Sequence, residues 1–154
     1  MKKIIISLIF GFIGIVKISA ATFTVTSSSD SGPGTFRQAI LDANALPGAD
    51  IIAFSIGTGT KTITLLSVVH ITSEIDIDGS TQPGFSGTPL IKISGTSMFQ
   101  MTNANGAKVQ YLEFINNSGS TAILANSISN CLINSNVIIG AAFAIRLDGD
   151  NTNN

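Results

Sequence analysis

From residue 22 onward the chain alternates polar and apolar residues in short runs. Thr22-Phe23-Thr24-Val25-Thr26 alternates strictly and predicts a strand. The same period of two recurs at residues 51–56, 62–65, 75–78, 90–93 and 98–101, then at 109–114, 122–125, 132–138 and 144–147. Gly or Asn stands at many of the run ends, among them Gly57, Gly59, Gly79, Gly95 and Asn103. Many short strands separated by turn residues predict a sandwich, a barrel or a solenoid. One segment departs from this period. Thr35 is an N-cap with Gln38 three residues on, and Phe36, Ala39, Ile40 and Ala43 share one face before Pro47 stops the pattern. That predicts a helix of about ten residues with a capping box and a single apolar stripe.

An internal repeat chooses among the three architectures. Val109, Leu112 and Phe114 match Ile133, Asn136 and Ile138 at one spacing, and Ile123 and Ala125 match Ile145 and Leu147 at a slightly shorter one. A unit of about 20 to 25 residues marks a solenoid, in which each coil contacts only its neighbours. Asn136 falls where its match is apolar, so an inward Asn at a bend is expected to bond backbone and the Asn of an adjacent coil. The first coil of such a stack leaves apolar interior and strand edges open, and the amphipathic helix is the natural cap.

The first residues change the charge count. Lys2 and Lys3 precede an apolar run from Ile4 to Val16, and Ser19-Ala20-Ala21 supplies small residues. This is the pattern of a secretory leader, with cleavage expected after Ala21 or one residue earlier. The run is shorter than the roughly 20 residues a membrane span needs, which disfavours the alternative of an uncleaved anchor. With the leader's three lysines removed, the 8 basic residues fall to 5 against 9 acidic ones, a mature net charge of −4. No basic stripe exists for phosphate, so nucleic acid is excluded as a partner. Nor is membrane insertion expected after cleavage. Charged residues are 11% of the chain, against about 25% in ordinary soluble domains. The single cysteine, Cys131, allows no intrachain disulfide and reads as a small buried hydrophobe.

Two segments resemble a known group. Asp30-Ser31-Gly32-Pro33-Gly34-Thr35-Phe36-Arg37-Gln38-Ala39-Ile40-Leu41-Asp42-Ala43-Asn44 resembles the DSGPGSLRQAI-DAN opening of exported bacterial β-helix proteins with a CSLREA-type N-terminal motif. Ile77-Asp78-Gly79-Ser80-Thr81-Gln82-Pro83-Gly84-Phe85-Ser86-Gly87-Thr88-Pro89-Leu90-Ile91 resembles their IDGTTQPGYSGTPLI segment. Thr35-Phe36 departs from the usual Ser-Leu, and the motif's leading Cys is missing. The resemblance implies a right-handed parallel β-helix on a secreted or surface-attached bacterial protein.

Candidate chemistry is sparse. Asp76 and Asp78 project from one face of a strand, about 6 to 7 Å apart, near the window for paired-carboxylate hydrolysis. Any outward Asp-x-Asp meets that spacing, and charges on a strand face also discourage unwanted pairing. Lys92 is expected one coil over from Asp76 as an ordinary surface partner. Asp148-Gly149-Asp150 resembles the start of a calcium loop, but Thr152 holds its fifth position and no Glu holds its twelfth. A turn explains Asp-Gly equally well. His70 is the only histidine, so no Ser-His-Asp set can form within the chain. Arg37 is expected to order the cap loop by pairing with Asp30 or Asp42. Asn116-Asn117-Ser118 fits a glycosylation acceptor that matters only in a eukaryotic host.

The sequence thus predicts an all-β chain: a right-handed parallel β-helix with a short N-terminal capping helix. Residues 1–21 form the leader, 22–48 the first strand and helix, and 49–154 the coils. Because Asn151-Thr152-Asn153-Asn154 falls inside a coil, the expectation is a C-terminally truncated solenoid that self-associates through its open edge. The expected role is a non-catalytic extracellular or cell-surface scaffold of adhesin type, with a polysaccharide or surface ligand as partner class. The alternatives are a polysaccharide lyase or glycoside hydrolase using Asp76 and Asp78, and a carbohydrate-binding module. No cofactor is expected, calcium at Asp148 and Asp150 being the sole candidate.

Overall fold

The computed structural model describes residues 19–95, 99–115 and 120–154. Most of the expected leader, Met98 and the Asn116-Asn117-Ser118 acceptor therefore lie outside the described residues. The chain opens with strand β1 (Thr22–Val25) and helix α1 (Phe36–Asn44). Strands β2 (Asp50–Phe54), β3 (Lys61–Thr64), β4 (Val69–Ile71) and β5 (Ile75–Asp78) follow, then a one-turn 3₁₀ helix (Gly79–Thr81). The rest is β6 (Ile91–Ser94), β7 (Phe99–Thr102), β8 (Lys108–Gln110), β9 (Leu112–Ile115), β10 (Thr121–Asn126), β11 (Leu132–Asn134), β12 (Val137–Ile138) and β13 (Phe143–Asp148).

All the pairings among these strands are parallel, in three sheets ordered β1-β2-β5-β8-β11, β4-β7-β10-β13 and β3-β6-β9-β12. From β2 on, a strand's neighbour is the strand three places along the chain. The fold is therefore all-β and parallel, with one short helix. Both expected repeats are register pairs. Val109 faces Ile133 and Phe114 faces Ile138, while Ile123 faces Ile145 and Ala125 faces Leu147. The uniform spacing does not hold earlier in the chain. Ile51 faces Asp76, Lys61 faces Ile91 and Ile77 faces Val109, spacings of 25, 30 and 32 residues. The longest step carries the 3₁₀ turn and the Gly/Pro-rich loop before β6, which add residues without adding a strand.

Strand alternation places the core. Ile52, Phe54, Ile75, Ile77 and Val109 from the first sheet are buried, with Val69, Ile71, Phe99, Met101 and Ile123 from the second and Ile63, Ile91, Ile93, Leu112 and Phe114 from the third. They form one cluster. Two long runs are each broken into two strands. Tyr111 (φ 57°) separates β8 from β9, and Ser135 (φ 55°) separates β11 from β12 at the matched position. A left-handed residue turns the chain there, so alternation by itself overestimates strand length. Similar bends follow β7, β10 and β13 at Asn103, Ser127 and Gly149. Residue identity changes at each bend while conformation persists, which conceals this repeat from sequence.

Helix α1 buries its whole predicted stripe, Phe36, Ala39, Ile40 and Ala43, against β1, β2 and β4. Only half the capping box forms. The Thr35 hydroxyl accepts from the Gln38 amide at 3.3 Å, but Gln38 Nε2 donates to Asp42 instead of approaching Thr35. The Thr35 N–H already donates to the Gly32 carbonyl, so no unpaired donor remains for Gln38 to satisfy.

Asn136 takes backbone partners, and no Asn among the described residues. Its Oδ1 accepts from Leu112 N at 3.0 Å and its Nδ2 donates to the Val109 carbonyl at 2.7 Å. The side chain thus ties the β11–β12 bend to the β8–β9 bend beneath it. Asn136→Ala is expected to lower stability by about 1–3 kcal/mol, because both bend groups lose their partner. A urea-unfolding midpoint unchanged from wild type would refute this role.

Candidate functional site

The two β5 carboxylates share a face as predicted, since Ile75 and Ile77 are buried and Asp76 and Asp78 are half-buried opposite them. Each has partners of its own. Asp78 Oδ1 accepts from Ser80 N at 2.9 Å and Ser80 Oγ at 2.6 Å, capping the 3₁₀ turn. Asp76 reaches the neighbouring strand β8, where Oδ1 accepts from Gln110 Nε2 at 2.9 Å and Oδ2 lies 3.4 Å from Lys108 Nζ. One carboxylate is spent on a turn and the other on a strand-to-strand bond.

Lys92 is not beside Asp76. It lies on β6 in another sheet, opposite Glu113 of β9, with Nζ 2.7 Å from Oε1. Sequence spacing put it one repeat from Asp76, but each repeat visits three sheets, and β6 and β5 belong to different ones. Such partly exposed pairs contribute roughly 0.2–1 kcal/mol.

At the other candidate, Asp148 ends β13 and its Oδ1 accepts from Arg146 Nε at 3.0 Å. Asn151 Nδ2 donates to the Asp148 and Gly149 carbonyls, and Asn151 Oδ1 accepts from Ile128 N at 3.1 Å. Asp148 Oδ1 and the Asp148 and Gly149 carbonyls are thus engaged in a bend tied to Ile128, and Asp150 is exposed. Among the described residues no group of three or more His, Cys, Asp or Glu side chains is placed to hold a metal ion.

His70 is exposed on β4, where it is in register with Gln100, and its carbonyl accepts from Asn44 Nδ2 at 2.7 Å. Burial pushes the Cys131 thiol above its ordinary pKa, and Sγ lies 2.9 Å from the Ala104 carbonyl. Phe85 and Tyr111 meet edge to face with centroids 5.1 Å apart, which offers no coplanar surface for a sugar.

Arg37 pairs with Asp30 at 2.7 Å and also donates to the Ser67 and Val68 carbonyls, so it joins the loop before α1 to the segment entering β4. Asp42 is left to Gln38. The Arg37 hydrogen bond holds the Asp30 carboxyl below its ordinary pKa, against an opposing push from burial. A depressed folded-state pKa gives stability that is full above the unfolded value and is lost as pH falls through the folded one. Asp30→Asn is therefore expected to flatten the fall in melting temperature below about pH 4. An acid limb as steep as that of wild type would refute it.

Two buried polar residues escaped the sequence reading. Gln82 is 1% exposed, and its Oε1 accepts from Ile56 N while Nε2 donates to the Gly57 carbonyl at 2.8 Å. Asp50 is fully buried at the start of β2. Gln82 lies in the Gln-Pro-Gly segment of the second resembled motif, a signal that could have marked it. Nothing local in sequence marks Asp50. No protein-family model and no curated protein matches the chain.

Proposed function

We propose that this chain is a non-catalytic extracellular or cell-surface scaffold, built as a right-handed parallel β-helix, exported through the leader at residues 1–21 and related to the CSLREA-type proteins it resembles. One observation carries the reading: the outward charges of β5, β6, β8 and β9 are spent on the fold itself. Asp76 goes to Lys108 and Gln110, Lys92 to Glu113, and Asp78 to the turn after its own strand. The every-third-strand pairing supports the β-helix, since a chain coiling through three faces returns to the same sheet on each circuit. Helix α1 serves as the cap over its first coils. At the other end β11, β12 and β13 terminate their sheets, and Leu132, Val137, Ile139, Phe143, Ile145 and Leu147 are exposed. That edge makes self-association of the 154-residue chain the expected behaviour. Among the described residues no helix is long and apolar enough to cross a membrane. The partner class is a polysaccharide or surface ligand met along the outer faces.

The test is a screen of the exported product against acidic and neutral polysaccharides, with and without calcium. No new reducing ends and no unsaturated products are expected from the folded protein. Cleavage that disappears in Asp76→Ala or Asp78→Ala would overturn the scaffold reading in favour of a lyase or hydrolase.

A further inference from the structure

Asp50 is buried without a charge partner. It is 0% exposed, its Oδ1 accepts from the backbone N of Ala21 at 2.7 Å, and its Oδ2 is buried with no hydrogen-bond partner. None of the ion pairs among the described residues includes it. Burying an ionised carboxylate against a single neutral donor is unfavourable, and such groups are normally paired with a cation. The donor here is the residue at the expected leader boundary.

We infer that Asp50 is a receptor for the mature N-terminus, and that leader removal between Ala20 and Ala21 supplies its missing cation. This rests on the leader reading above. Hydrolysis of the Ala20–Ala21 bond adds one water. Its oxygen goes to the Ala20 carbonyl carbon, which leaves as a carboxylate, and the Ala21 nitrogen gains protons to become an α-ammonium. A neutral amide with one N–H thus becomes a cation with three, at an atom already 2.7 Å from Oδ1. Both carboxylate oxygens hang from one carbon, so the same cation also faces the charge left unmatched on Oδ2.

The position of the cut follows from what holds Ala21. Its carbonyl accepts from Ile51 N at 2.8 Å while its nitrogen meets Asp50, so it is clamped to β2 at both ends. Ser19 and Ala20, by contrast, are exposed. Cutting after Ala21 would remove both contacts and leave Asp50 alone. Cutting before it keeps the β1 ladder whole and leaves the small residue Ala20 directly ahead of the cut, with Ile18 instead of Ser19 at the other small-residue place of an A-x-A site. The precursor holds a neutral amide at this point and the processed protein an ion pair, so export itself completes the first rung.

The test uses the full chain with its leader, expressed in an exporting host. The purified product's intact mass gives its first residue, and an amine-reactive reagent near pH 7 reads the α-amine selectively over lysine. The expected product begins at Ala21. Its α-amine should label at least about tenfold more slowly in the folded protein than in urea, one pKa unit of protection being a factor of ten. In Asp50→Asn, which keeps the side-chain shape, that protection should vanish while Asp150→Asn retains it. Should Asp50→Asn not fold, the folded-to-urea ratio of the wild type decides. An unprocessed product would overturn the leader reading and the inference together. A product beginning at Thr22 would keep the leader and overturn the inference. So would an Ala21 amine that labels equally fast folded and in urea.

Discussion

Gly79→Ala is expected to cost more than about 4 kcal/mol and to leave little folded protein at ambient temperature. Gly79 is buried where β5 passes into the 3₁₀ turn. A Cβ there would lie 2.1 Å from the Tyr111 carbonyl oxygen, 2.8 Å from its carbon and 2.9 Å from Leu112 Cδ2. Ordinary overpacking costs about 1–3 kcal/mol because side chains can move aside. Here the obstacle is backbone that cannot retreat. Tyr111 sits between β8, paired to β5, and β9, paired to β6, and the following Leu112 N–H is held by Asn136. Tyr111 is itself in the left-handed region, strained for a bulky residue, and its carbonyl oxygen faces Gly79. Relief requires parting the end of β5 from the β8–β9 bend. The comparison is Gly87→Ala, where φ is 100° and nothing lies within 4 Å of the added carbon, so only the backbone strain of about 1–2 kcal/mol applies. Urea unfolding followed by far-ultraviolet circular dichroism separates the two. Equal midpoints would mean that the close approach at Gly79 does not constrain the fold.

Gly79 also marks how far sequence reaches. It read as a run-end glycine like Gly57 or Gly95, and a turn was all that could be inferred. The reason it must be glycine is a carbonyl 32 residues away, set by the β5–β8 register. Local patterns with a fixed period were legible: the alternation of β1 and β5, the α1 stripe, and the two repeats that became register pairs. These follow from side-chain geometry within a few residues. Relations between faces were not. Lys92 stands at a plausible spacing from Asp76 yet pairs with Glu113, because one repeat visits three sheets and spacing alone does not say which sheet a residue occupies. Left-handed bends hid for another reason. Tyr111 and Ser135 do the same conformational work with unrelated side chains, so no shared letter betrays them. Asp50 was invisible because burial of a lone carboxylate runs against every compositional expectation, and only the fold brings Ala21 to it.

Phe99→Ala is expected to destabilise the protein by about 3–5 kcal/mol, the range for a fully buried phenylalanine. Phe99 is 1% exposed and sits mid-row among four rings. It meets Phe36 at 5.5 Å and Phe114 edge to face at 5.1 Å, and Phe36 in turn meets Phe54 at 5.5 Å. The row therefore joins α1 to one strand in each sheet: Phe54 in β2, Phe99 in β7 and Phe114 in β9. Removing its second-last ring opens a void bordered by three sheets, and strands locked into parallel ladders on both sides cannot close it. Total stability is typically 5–15 kcal/mol, so this loss is a large fraction of the whole. Phe99→Leu keeps most of the volume and should cost clearly less, which distinguishes a cavity effect from loss of an aromatic contact. Phe85→Ala, outside the core cluster, should cost least. The measurement is the urea midpoint at constant slope, since an unchanged slope keeps the comparison within a two-state transition. A loss below about 1.5 kcal/mol for Phe99→Ala would mean the ring row does not tie the three sheets together. The helix and the ladders would then have to hold the first strands without it.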